Sequence, residues 1–164
     1  MSYTTIKAVY LNDRVEDLKT LKNSHGSAPF IWDAVSQKYL NKAYFLADDK
    51  LWPLWKAAYI PLHQRAVFMI TFDYAYVAKK DYQRAGRDVR KFLLDFPPKF
   101  ENVNHWNTIA DLFESDPDIP AIGFQMTSVA DDLWGFEYDD KDNPLPFDWT
   151  KYYSVYDELD SLKG

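Results

Sequence analysis

The sequence contains no cysteine and only three histidines among its 164 residues. The absence of cysteine excludes disulfide bonds, thiol catalysis and cysteine-based zinc fingers, and the low number of histidines argues against a histidine-rich metal site. Long apolar runs are also missing, because the most apolar stretch, residues 66–70, is far shorter than the roughly 20 residues needed to cross a bilayer. The first residues lack the charged and apolar regions of a signal peptide, so we expect a cytoplasmic protein with no membrane contact.

Signatures of catalysis are missing as well. Neither a Gly-x-Ser-x-Gly elbow nor a His-Glu-x-x-His motif occurs, and His25, His63 and His105 lie in three separate segments. The acidic segment 139–143 departs from the EF-hand pattern, because Pro144 stands where a fifth-position ligand is needed. We therefore expect no enzymatic activity, no metal and no cofactor.

What the sequence does contain is typical of one globular domain covering residues 1–164. Hydrophobic residues make up 47%, charged residues 27% and aromatic residues 18%, which excludes intrinsic disorder. Hydrophobic periodicity predicts a helix-dominated α+β domain with a small β-sheet. The predicted strands cover residues 3–11, 121–129 and 133–138, and the predicted helices cover 29–40, 51–59, 62–77, 80–96, 105–114 and 151–162.

Two of these segments allow a second interpretation. Residues 3–11 have strand composition, although a helix that continues through Leu18 and Leu21 competes with it. Residues 62–77 are apolar on nearly every side, which is typical of a central buried helix. Because β-branched and aromatic residues are frequent there, a buried pair of strands is the alternative.

Asp73 is the one acidic residue in the apolar segment 62–77. A buried carboxylate needs a partner, which could be Arg65, Arg84 or a tyrosine hydroxyl. The alternative is a general acid or base with a shifted pKa. A small hydrolase that uses His63, Asp73 and His105 is therefore kept as one functional hypothesis.

Charge is distributed unevenly along the chain. Residues 1–94 contain 15 Lys and Arg against 9 Asp and Glu, a balance of +6, whereas residues 95–164 contain 4 against 16, a balance of −12. Although the helix over 79–91 is basic, its aromatic residues belong to the apolar stripe and are not interleaved with the charges, as base stacking requires. We therefore expect a solvated face with internal salt bridges there, and no nucleic-acid partner.

The acidic C-terminal third is interleaved with aromatic residues. Acidic groups accelerate encounter with a basic protein, and exposed Trp and Tyr side chains commonly supply much of the binding energy. This pattern predicts a protein-binding surface with Trp134, Tyr138 and Trp149 as anchors where their rings are exposed. An acidic solvated loop whose aromatic residues belong to the core is the alternative. The predicted surface consists of Asp116, Asp118, Asp131, Asp132, Trp134, Glu137, Tyr138, Asp139, Asp140, Asp142 and Trp149.

Three short stretches, residues 24–29, 71–77 and 104–106, resemble segments of bacterial immunity proteins from contact-dependent growth inhibition and other polymorphic-toxin systems. The resemblance implies a cytoplasmic bacterial protein that binds and neutralises a cognate toxin domain, often a basic nuclease, without turning over a substrate. It assigns no role to individual residues. A phage- or plasmid-encoded acidic decoy that inhibits a host nuclease is the alternative binding function.

Overall fold

A computed structural model describes residues 3–10, 14–22, 27–99, 105–125, 134, 138–143, 145 and 149–162. The strands are β1 (Tyr3–Tyr10), β2 (Arg14–Lys22), β3 (Ala75–Ala78), β4 (Ala121–Gln125) and β5 (Tyr153–Ser154). The α-helices are α1 (Ala28–Leu40), α2 (Leu62–Ile70), α3 (Tyr82–Asp95), α4 (His105–Glu114) and α5 (Val155–Ser161). Short 3₁₀ turns cover Tyr44–Leu46, Asp48–Lys50, Trp52–Lys56, Lys79–Asp81 and Trp149–Lys151. The prediction of a helix-dominated α+β domain is confirmed.

The strands form one five-stranded sheet in the order β2-β1-β4-β3-β5. The first three pairings are antiparallel, and β3 and β5 pair in parallel. Because successive strand residues face opposite sides, Ile6 and Ala8 belong to the main core while Val9 belongs to a second, smaller cluster. Both faces of the central strands are therefore covered.

The main core is formed by the helices packed on one face of this sheet. Each residue from Ala66 to Ile70 in α2 is buried, which agrees with the apolar character of that segment. Helix α3 directs its apolar stripe, including Val89 and Phe92, into the same core as Ile109 and Phe113 of α4. Within the described residues, no helix has the length and apolarity required to cross a membrane.

The predicted helix over 62–77 is too long. Helix α2 ends at Ile70, and the Thr71 hydroxyl donates to the Phe68 carbonyl at 2.6 Å. The chain then turns through Tyr74, whose φ of 67° is left-handed, and enters β3. An apolar run is compatible with a buried helix or a buried strand, and here it contains one of each.

Other boundaries also differ from the prediction. Residues 14–22 form β2, so the helix that competed for Leu18 and Leu21 does not form. The helix predicted over 51–59 is a 3₁₀ turn at Trp52–Lys56, and the C-terminal helix begins at Val155 after a short strand. The strand predicted over 121–129 is observed to Gln125. Its last four residues, and nearly all of the strand predicted over 133–138, lie outside the described residues.

Candidate partner-binding surfaces

Acidic residues of the C-terminal third pair with the basic helix α3. Lys80 Nζ, just before α3, lies 2.6 Å from Asp157 Oδ1, and Arg84 donates two hydrogen bonds of 2.9 and 3.0 Å to Asp160. Both acids belong to α5, 77 and 76 positions further along the chain than their respective partners. The internal salt bridges that the sequence predicts for the basic face of this helix are therefore present. Its partners come from the segment whose negative charge suggested a docking surface.

Arg90 forms a second group of contacts between α3 and α4. Its guanidinium donates to Glu114 at 3.1 Å, to Asn107 at 2.8 Å and to Asp111. Asp111 and Glu114 thereby neutralise a cation of their own chain. The sequence-level balance of −12 for residues 95–164 thus overstates the negative charge left for a partner.

The first two acids of the predicted surface differ in their surroundings. Asp116, which has a left-handed φ of 49°, lies 3.2 Å from Lys79 Nζ. Lys79 also donates to the Pro117 carbonyl at 2.9 Å. Asp118 is exposed and forms no ion pair within the described part of the chain. Asp116 therefore serves an internal contact, and Asp118 remains a candidate.

Trp134 is not an exposed anchor, and this part of the prediction is wrong. Its side chain is only 2% exposed and packs in the second cluster, on the sheet face opposite the helices. The indole stacks on Tyr152 with ring centroids 4.5 Å apart, and Nε1 donates to the Phe124 carbonyl at 3.2 Å. It covers Gly123, where the backbone must approach the ring closely. Trp134 is a core residue.

The turn at residues 138–143 is the described part of the predicted surface that remains open. The Asp139 carboxylate accepts hydrogen bonds of 2.9 Å from the backbone N–H groups of Asn143 and Lys141, and these bonds lower its pKa. Asp142 completes the turn with a φ of 62°. Tyr138 is 61% exposed beside it, and Asp140 and Asp142 are exposed. We call residues 138–143 the acidic turn.

The remaining members of the predicted surface lie outside the described residues. These are Asp131, Asp132 and Glu137. Trp149 begins a 3₁₀ turn, and its side chain also lies outside the described part. Their contribution to partner binding stays a prediction.

The structure does not bring the three residues of the hydrolase hypothesis together. His63 Nε2 lies 2.5 Å from Asp95 Oδ2, whereas Asp73 is exposed in the turn after α2 and His105 is the first residue of α4. No hydrogen bond or ion pair joins these three among the described residues. The expectation of a buried Asp73 is wrong, because α2 ends before it. His25 lies outside the described residues.

The His63–Asp95 pair belongs to a network that ties three helices. Gln64 Nε2 donates to the same Asp95 oxygen at 2.9 Å, and the Tyr39 hydroxyl of α1 donates to Gln64 Oε1. The hydrogen bonds from Gln64 and His63 lower the pKa of Asp95. A carboxylate at the C-terminus of α3 opposes the helix dipole, so these donors offset an unfavourable position.

An exposed apolar surface that the sequence did not predict lies between α1 and α2. Phe45 is 71% exposed, Leu46 58% and Tyr59 70%. Segment 43–60 holds eight aromatic or leucine side chains around its 3₁₀ turns. That high content of aromatic and leucine residues is the signal that could have singled the segment out, since exposed aromatic clusters often mark interaction sites.

Compared with known proteins, the chain matches no family model, and no curated protein or solved structure is significantly similar to it. The described residues also contain no group of three or more His, Asp or Glu side chains placed to hold a metal ion. The acidic turn and the exposed apolar surface of segment 43–60 are therefore the candidate partner-binding surfaces within the described residues.

Proposed function

We propose that this protein binds a basic protein domain and inhibits it, in the manner of an immunity protein that neutralises a toxin. The observation that carries the proposal is the acidic turn, where exposed Tyr138 stands beside Asp139, Asp140 and Asp142. None of these three acids has a cationic partner among the described residues, unlike the acids that face α3.

The structure of the turn supports a role in association rather than in folding. Asp139 holds the backbone of the turn, whereas no such contact within the described residues involves the carboxylates of Asp140 and Asp142. Clustered like charges repel each other in the free protein, and a basic partner relieves that repulsion. An exposed tyrosine beside them offers a large, rigid contact at low entropic cost.

The test has two steps. The first asks whether the reading frame immediately upstream encodes a toxin domain, and co-expresses that domain with this protein. The proposal requires that the two proteins co-purify and that this chain protects the cells. If neither happens, the proposed function is wrong.

The second step locates the contact on the acidic turn. The variant Asp140→Asn/Asp142→Asn should slow association at low salt and weaken its salt dependence, because it removes charge without removing the Asp139 contacts. Tyr138→Ala should mainly accelerate dissociation. The control, Glu16→Gln/Glu158→Gln, changes the net charge equally elsewhere on the surface. Equal association rates for the two double variants would exclude the turn as the docking face.

A further inference from the structure

A cleft of about 350 Å³ lies between α1 and the 3₁₀ turn Tyr44–Leu46. Phe30, Tyr44 and Phe45 supply aromatic walls, and Asp33 and Gln37 supply the polar groups. Such a combination of apolar walls with a few polar groups is typical of a binding site. The cleft is separate in sequence from the acidic turn.

The backbone around the cleft is fixed by specific contacts. Asn41, with a φ of 57°, ends α1 in the left-handed conformation and reverses the chain. The Ser36 hydroxyl donates to the Lys42 carbonyl at 2.7 Å, and the Tyr44 N–H donates to Asp33 Oδ1 at 3.2 Å. These contacts hold residues 43–45 alongside α1, so the cleft is formed before any partner arrives.

Core contacts also anchor the aromatic walls. Trp32 packs against Tyr44 with ring centroids 5.7 Å apart, and its Nε1 donates to Thr71 Oγ1 at 2.8 Å. On the other side of the cleft, Phe30 makes an edge-to-face contact with Phe92 of α3, with ring centroids 6.4 Å apart. Two walls are therefore rigid, while Phe45 projects into solvent. A preformed site loses little entropy on binding.

Asp33 gives the cleft a negative charge. Its described polar contact is with a neutral backbone N–H, and within the described chain it has no cationic partner. A carboxylate beside aromatic faces complements a planar cation, which can pair with the carboxylate and stack on a ring. Gln37 adds an amide oxygen that can accept a further N–H.

We propose that this cleft binds an arginine side chain of a protein partner. The inference depends on the proposed function only for the source of the arginine, which is the basic domain. Guanidinium presents five donors in a plane and is more weakly hydrated than an ammonium group, so arginine fits this site better than lysine. The exposed Phe45 at the rim then contacts the residues that flank the arginine.

The test is a two-dimensional amide NMR titration of this protein with a capped Gly-Arg-Gly peptide. Amide resonances of residues 30–45 should shift, and the affinity should exceed that for a capped Gly-Lys-Gly peptide. A Gly-citrulline-Gly peptide, which has the same shape without charge, should bind at least about fivefold more weakly, because the ion pair and the cation–π contact are both lost.

Two variants test the named contacts. Asp33→Asn keeps the oxygen that accepts the Tyr44 N–H and removes only the charge, so the fold should persist while arginine affinity falls several-fold. Phe45→Ala should also weaken binding, whereas the controls Glu158→Gln and Leu94→Ala, which change exposed side chains outside the cleft lining, should not. Equal affinity for the arginine and citrulline peptides, or unchanged affinity in Asp33→Asn, would overturn the proposal.

The peptide titration separates this inference from the proposed function. If the upstream toxin domain fails to co-purify but the arginine peptide binds, the proposed function fails and the arginine cleft stands. If the toxin domain binds but the peptide causes no shift, the arginine cleft is wrong and the proposed function stands.

Discussion

Replacing Gly123 with alanine should destabilise the protein, because a methyl group at this position has no room beside Trp134. An ideal Cβ at Gly123 would lie 2.7 Å from Cη2 and 2.9 Å from Cε2 of the indole, whereas carbon atoms in contact sit about 3.5–4.0 Å apart. The ring is held by Tyr152 and by its hydrogen bond to the Phe124 carbonyl. To make room, it must weaken both contacts.

The expected loss follows from three contributions. Overpacking costs about 1–3 kcal/mol, and loss of the indole hydrogen bond costs about 0.5–1.5 kcal/mol. Replacing a strand glycine by alanine returns about 0.5–1 kcal/mol through reduced chain entropy in the unfolded state. Gly123→Ala should therefore lower the free energy of unfolding by about 0.5–4 kcal/mol, measured by urea denaturation followed by far-UV circular dichroism.

A double-mutant cycle with Trp134→Ala provides the control. Trp134→Ala alone should cost about 3–5 kcal/mol, the usual range for a buried tryptophan. In that background the methyl group has space, so Gly123→Ala should stabilise by about 0.5–1 kcal/mol, and the sign of its effect reverses. Trp134→Leu serves the same purpose if the alanine variant is too unstable. An equal loss of unfolding free energy from Gly123→Ala in both backgrounds would refute the packing of Trp134 on Gly123. Trp134 would then again be a candidate anchor for a partner.

Two further predictions concern the ion pairs. Arg90→Ala should lower the free energy of unfolding by about 1 kcal/mol, and by less at high salt, because the Arg90 side chain joins α3 to α4. In the same urea titration, the control Arg87→Ala, at an exposed position of α3, should change the free energy of unfolding little. Equal losses for the two variants would show that the contacts of Arg90 with α4 contribute nothing to stability. Because hydrogen bonds from Gln64 and His63 lower the pKa of Asp95, its stabilisation is present above the ordinary carboxyl pKa and is lost as pH falls through the lowered value. In thermal melts, Asp95→Asn should therefore have a lower Tm than the parent protein at neutral pH, and the two Tm values should converge in acid. A constant difference in Tm across this pH range would contradict a stabilising role for the ionised Asp95.

Elements with a regular period were predictable because the period is a local property. Helix α3 was expected over 80–96 and is observed over Tyr82–Asp95, and α4 was expected and observed over residues 105–114. In both helices one apolar stripe faces the core and the polar residues face outward. The apolar segment 62–77 has no such contrast between faces, so its division into α2, a turn and β3 was not visible.

The candidate binding surfaces were predictable only in part. The exposed acidic turn lies within the segment that charge and aromatic content selected. The cleft beside Asp33 was missed, because it combines α1 with a 3₁₀ turn and depends on the chain reversal at Asn41. Burial of an individual aromatic residue depends on what lies opposite it. A sequence pattern cannot tell Trp134, packed on Gly123, from Tyr138, which is exposed.

The sequence by itself determined the fold class, the amphipathic helices and the uneven distribution of charge along the chain, because each follows from composition or from spacing between near neighbours. Tertiary structure decided which charges remain available. Folding places α5 and α4 against α3, so that Asp160 neutralises Arg84 and Glu114 neutralises Arg90. Coulomb attraction falls with distance in space, not with separation along the chain. The acids left without a cationic partner in the acidic turn and at Asp33 were therefore set by the fold.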